Sequence, residues 1–105
     1  MKDKKKEIRK KYNCNSKQLE SFILKIKQDG GRFITISACL QEDKEVNLQY
    51  FFEFIGNYVI VETSTKDLSI NSIFNFFNDS DIIERQINSL FNVKFIGNPN
   101  LEFIF

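Results

Sequence analysis

The side chains of this chain that could do chemistry are few: the carboxylates of Glu53, Glu62, Asp79, Asp81 and Glu84, the thiols of Cys14 and Cys39, and a cluster of lysines near the start. Histidine is absent. That removes imidazole acid–base catalysis, His-paired nucleophiles and every metal site built on an imidazole. The two cysteines stand 25 positions apart and form no C-x-x-C pair, so neither an iron–sulfur cluster nor a zinc ribbon can be built from this chain alone. Cys39 falls in an alternating segment and reads as a small core residue. A Cys14–Cys39 disulfide is not expected in a reducing compartment. Gly30-Gly31 precedes a strand and reads as a helix stop, not as a phosphate-cradling loop. The acids fall on polar faces or at a helix start. No catalytic residue, cofactor or metal is therefore expected.

The elements that position these groups follow from periodicity. Leu19, Phe22, Ile23 and Ile26 recur at helical spacing, with Asn15 or Ser16 as the cap and Gly30-Gly31 as the stop. A strand follows from Phe33 to Leu40, with Ile34, Ile36, Ala38 and Leu40 on one face and Phe33, Thr35, Ser37 and Cys39 on the other. A second runs from Val46 to Ile55 and places Val46, Leu48, Tyr50, Phe52 and Phe54 together. Gly56-Asn57 suits a type I′ or II′ hairpin turn into a third strand, Tyr58 to Thr63. Ser72 or Asn71 can cap a short helical turn through Phe77. Asp79 or Ser80 then caps a longer helix to about Phe91, with Ile83, Ile87, Leu90 and Phe91 as its buried stripe. Asn92 suits a left-handed helix end. Residues 101–105 read as a last extended piece. Helix, meander, then helices give an α+β two-layer sandwich: an antiparallel or mixed sheet with helices on one face.

Twelve Phe and no Trp in 105 residues call for a ring-rich core or a surface that another protein covers. Residues 1–20 hold eight bases against three acids, and the remainder seven against eleven. Residues 1–15 are thus expected to be a basic, mobile arm and residues 16–105 a single domain. Apolar runs such as Val59-Ile60-Val61 fall far short of the roughly 18 residues that cross a bilayer. The charged start has no apolar signal core, so a cytoplasmic location is expected.

The last third carries a pattern: Ser72-Ile73, then Glu84-Arg85-Gln86, then Phe91-Asn92-Val93, Phe95, and Gly97-Asn98-Pro99. In order and spacing it resembles the 30 kDa subunit family of respiratory complex I, NADH-quinone oxidoreductase, and its short relatives in energy-converting hydrogenases. The family's Ser-Ile, Glu-Arg-Glu, Phe-Gly-Ile and Gly-His-Pro correspond to these segments, with Gln86, Asn92 and Asn98 as departures. Ser89 stands where the family usually has an acid, and Ile82 where it often has Trp. Gly31-Arg32-Phe33 and Tyr50-Phe51-Phe52 resemble its earlier strands.

The resemblance implies a cofactor-free, non-catalytic assembly subunit. Its partner would be the large hydrogenase-like or quinone-site subunit of a multisubunit redox complex. Ser72, Ile73, Glu84, Arg85, Phe91, Phe95, Gly97 and Pro99 would form the interface, and the membrane would be reached only through the complex, at its cytoplasmic face. The protein's brevity resembles the hydrogenase form. With the imidazole missing, the Gly97-Asn98-Pro99 turn is expected to be a scaffold without a proton-handling role. Read from the residues alone, Glu84-Arg85 is a solvated helix face with an Asp81–Arg85 pair. The alternative function is a stand-alone binding module whose basic arm contacts an acidic partner, RNA or anionic membrane.

Overall fold

The computed structural model describes residues 8–101. The main sheet has strand order β1-β4-β3-β2. It is built from β1 (Ile8–Asn13), β2 (Arg32–Leu40), β3 (Val46–Phe54) and β4 (Asn57–Thr65). Strands β2, β3 and β4 form the expected antiparallel meander, and β1 runs parallel to β4. Helices α1 (Leu19–Gln28) and α2 (Asp81–Phe91) lie on one face, α1 over β4 and α2 over β2. The fold is α+β in two layers. A smaller parallel pair, β5 (Ser69–Asn71) and β6 (Lys94–Ile96), brackets α2.

Strand β1 occupies the second half of what reads as a basic arm. Its lysines conceal it: Lys10 and Lys11 sit opposite Val59 and Ile60 in register but stay exposed at the sheet edge. Charge on an edge strand discourages pairing with other chains. Residues 1–7 of the arm, and all but Leu101 of the final extended piece, lie outside the described residues.

Helix α1 starts and stops as its residues dictate. Asn15 Oδ1 accepts from the Gln18 amide at 2.9 Å, and Gln18 Oε1 accepts from the Asn15 amide at 3.2 Å, a reciprocal capping box. At the other end Gly30 takes φ +88. The Gly31 and Gly30 amides donate back to the Ile26 and Lys27 carbonyls, closing a Schellman motif.

The core is one cluster: Leu19, Ile23 and Ile26 from α1, alternate residues of the sheet, and Ile73, Ile87, Val93 and Phe95 from the last third. Val46, Leu48, Tyr50 and Phe52 alternate inward as expected, but Phe54 at the strand end is only half-buried. Strict alternation fails in β2. The register shifts between Phe33 and Thr35, so Ile34 is bulged out and 44% exposed. The bulge turns Phe33 to the core face, where its ring meets Phe52 at 6.0 Å and Phe77 at 6.4 Å. Leu40, at the sheet's end, is exposed. Cys39, expected in the core, points to the face no helix covers, opposite Asn47. That open face is polar at its margins, with Lys11–Glu62 at 2.8 Å and Arg32–Glu53 at 3.2 Å around the Phe51–Ile60 pair.

One turn and one helix face differ from expectation. The β3–β4 hairpin turns on Ile55-Gly56, not Gly56-Asn57, because Phe54 pairs with Asn57. Positive φ falls only at the second position, Gly56 at +76, as in a type II turn. In α2 the buried stripe centres on Glu84 and Ile87 and leaves Leu90 76% exposed.

Candidate functional site

The patterned last third is assembled by one buried carboxylate. Glu84, on the first turns of α2, is 0% exposed. Its Oε1 accepts from Ser72 Oγ at 2.6 Å and from Asn98 Nδ2 at 2.8 Å, while Oε2 accepts from the Ile73 amide at 3.0 Å. Three segments far apart in sequence meet on this group: the end of β5, α2, and the turn after β6. Ser72 serves twice, since its Oγ also accepts from the Phe74 amide at 3.0 Å and so caps the expected turn.

The network continues outward. Asn98 Oδ1 accepts from the Asn100 amide at 2.8 Å, and Asn100 Nδ2 donates to Asp81 Oδ2 at 3.0 Å. The same Asp81 oxygen receives Arg85 Nη2 at 3.2 Å, the i,i+4 pair read from the sequence. At the far end of α2, Asn92 adopts φ 60, ψ 26 as expected, and Asn88 Nδ2 donates to the Val93 carbonyl at 2.9 Å.

Burial pushes the Glu84 carboxyl above its usual value, against the bonds from Ser72, Ile73 and Asn98 that favour the charged form. Asp81 moves the other way: desolvation raises it, but the amides of Asn98 and Asn100 and the Arg85 guanidinium together hold it below the usual range. Tyr50 lies fully buried beneath, its hydroxyl unpartnered within the described residues. Burial and the negative field of Glu84 drive its ionisation well up. Among the described residues no group of three or more His, Cys, Asp or Glu is placed to hold a metal ion.

The eight motif residues therefore divide. Ser72, Ile73, Glu84 and Phe95 are buried inside this chain, and Phe91 is half-buried against the core. Arg85, Gly97 and Pro99 are exposed. Glu84 is neither a solvated helix face nor a surface contact, since its oxygens are consumed by the fold. Reading from sequence missed this because two of its partners stand 12 and 14 residues away. A signal was present: Glu84 lies three residues before Ile87, on the apolar stripe. Asn98 was legible only as a turn residue, yet its side-chain amide is one of the donors to Glu84.

This arrangement is what the Ser-Ile, Glu-Arg and Gly-x-Pro segments have in common: each supplies part of one hydrogen-bonded unit. Residues 12–105 match the protein family described as respiratory-chain NADH dehydrogenase, 30 Kd subunit. The chain belongs to this family. It is thus a subunit of a complex I-like complex and has other subunits of that multisubunit redox assembly as partners. Among solved structures it is similar to Nqo5, in its trypsin-resistant fragment of residues 1–134, with TM-score 0.77 and 14% identity over 87% of this chain and 81% of that one. At that identity the likeness is one of fold. No curated protein sequence matches the chain. As a 30 Kd subunit family member it is accessory in type, and among its described residues no helix is long and apolar enough to cross a membrane.

Proposed function

We propose that this chain is a non-catalytic, cofactor-free assembly subunit of an energy-converting hydrogenase or complex I-like oxidoreductase, docked on the large catalytic subunit at the cytoplasmic face of the membrane. The observation that carries this reading is the outward side of α2. Ile82, Arg85, Gln86 and Ser89 recur there at helical spacing, with Leu90 beside them, and all five are exposed. Ile82 is 59% exposed, on a helix whose inner side is locked by Glu84. Apolar groups held rigidly around an arginine make a suitable contact core. The buried clamp then acts at one remove. It fixes the angle of α2 and of the Gly97–Pro99 turn, and so the shape presented to the partner.

Co-expression with the large subunit of such a complex tests the reading. The wild-type chain is expected to co-purify with it. The Ile82→Asp, Leu90→Asp double variant is expected to fold with an unchanged melting temperature and to lose capture. Equal capture of wild type and variant, or no capture of either, would remove this assignment.

A further inference from the structure

A second feature lies at the opposite edge of the helical layer. Between α1 and the β1–β4 edge runs a groove of about 490 Å³. Its floor is aromatic: Tyr12 of β1, Phe22 of α1 and Phe54 of β3 line it, with Tyr12 and Phe22 5.9 Å apart. Its rim is cationic, with Lys10 on one side and Lys25 on the other. Asp29 shares the rim and reaches Lys25 only at 3.6 Å, between side chains that are both well exposed. Such a pair contributes little and is readily exchanged for another carboxylate. The groove exists because α1 sits over β4 and does not extend across β1, leaving Tyr12 42% exposed on the helical side of the sheet.

On the groove's rim two lysines, Lys10 and Lys25, outnumber the one acid, Asp29. In the sequence, residues 1–7 contain four lysines against two acids. We propose that the groove is a docking site for an acidic, aromatic- or aliphatic-anchored segment of a partner protein. An apolar side chain enters between Phe22 and Phe54, and flanking carboxylates meet Lys10 and Lys25. The shape selects a peptide over the other anionic partners. A bilayer surface is flat on this scale and cannot enter a cleft between a helix and a sheet. Single-stranded RNA needs ring faces free for stacking, whereas Tyr12 and Phe22 are turned 43° onto one another. Complementary charge would speed encounter, and the apolar anchor would supply residence. This site is independent of the outward side of α2 and stands or falls separately from it.

The test is a titration of the 15N-labelled full chain with a short acetylated peptide that alternates glutamate with phenylalanine and leucine. Its lysine counterpart, phosphatidylserine–phosphatidylcholine vesicles and oligouridylate serve as competing probes. Amide shifts confined to Tyr12, Phe22, Ile26 and Val59, caused by the acidic peptide and weakened by salt, are the expected result. The Lys10→Glu, Lys25→Glu variant changes two exposed side chains and is expected to keep its fold and weaken binding about tenfold or more. Shifts elsewhere, equal binding by the variant or by the lysine peptide, or a response to vesicles or RNA without one to the acidic peptide would each overturn the proposal.

Discussion

Asn98 donates its side-chain amide to Glu84 at 2.8 Å, so a residue in an exposed turn completes the environment of a carboxylate that water does not reach. Replacing either partner leaves donors without an acceptor, or acceptors without a donor, in a buried place. The cost of that is larger than the net worth of the bond. Glu84→Gln puts an NH2 group against donors and is expected to cost about 2 kcal/mol. Asn98→Asp sets a second carboxylate against Glu84 and is expected to cost more than Asn98→Ala. Urea denaturation at neutral pH checks the ranking. An Asn98→Asp variant as stable as wild type would contradict the clamp.

The same group sets an acid-range signature. Glu84 has its folded-state carboxyl raised by burial. Its contribution is therefore fully present below the unfolded carboxylate value, about 4.3, and is lost as pH rises through the raised folded value. Asp81 and Glu62 are lowered, Asp81 by its amide and Arg85 partners against desolvation, and Glu62 chiefly by Lys11. Their contributions are present above about pH 4 and disappear as pH falls through their depressed values. The gap between wild type and Glu84→Gln should thus narrow, without closing, as pH rises from that point, whereas Lys11→Met should flatten only the acid limb. Divergence of the first pair with rising pH would show that the carboxylate's hydrogen bonds outweigh its burial.

Much of the architecture could be read from residue pattern because it is local. The α1 stripe, its Asn15 cap, its glycine stop and the alternation of β3 each depend on neighbours within a few positions. What could not be read is held by distant contacts. Strand β1 exists only because β4 offers a partner more than 40 residues later, and its lysines argue for solvent. Ile34 obeys alternation in sequence, and only the packing of Phe33 on Phe52 and Phe77 shows why the strand bulges. Strands β5 and β6, three residues each, are too short to carry a period. The motif positions were recognisable one by one. Their division into a buried clamp and an exposed rim was not.

Gly31 is required by space. A Cβ there would lie 2.6 Å from Ile26 Cγ2, 2.9 Å from Phe54 Cζ and 3.1 Å from the Ile26 carbonyl. The Phe54 ring tip can swing aside, but Ile26 is β-branched and held in a helix, with little rotamer freedom. Gly31→Ala is expected to destabilise by about 1–3 kcal/mol. An Ile26→Val change in the same background removes only Cδ1 and keeps the clashing Cγ2, so it is not expected to recover the loss. Thermal melts of the two variants decide this. An alanine variant as stable as wild type would mean that α1 can shift freely on the sheet.

Lys44 closes the β2–β3 hairpin at φ 69. The turn is pinned by the Lys44 amide donating to the Gln41 carbonyl at 2.9 Å and the Gln41 amide donating to the Glu45 carbonyl at 2.8 Å. This is a tight turn followed by a left-handed residue, a position that glycine ordinarily fills. A lysine there bears the steric cost of its Cβ, and among the described residues its exposed side chain makes no hydrogen bond or ion pair that would offset it. Lys44→Gly is therefore expected to stabilise the chain by about 0.5–1 kcal/mol, the relief of left-handed strain less the added freedom of the unfolded chain. Leu68, at φ 57, supplies the contrast. Its side chain packs on the core, so Leu68→Gly relieves the same strain but removes apolar burial, and it should destabilise. Denaturation midpoints moving in opposite directions for the two glycine variants are the expected result; a shared direction would mean that backbone strain does not govern the Lys44 position.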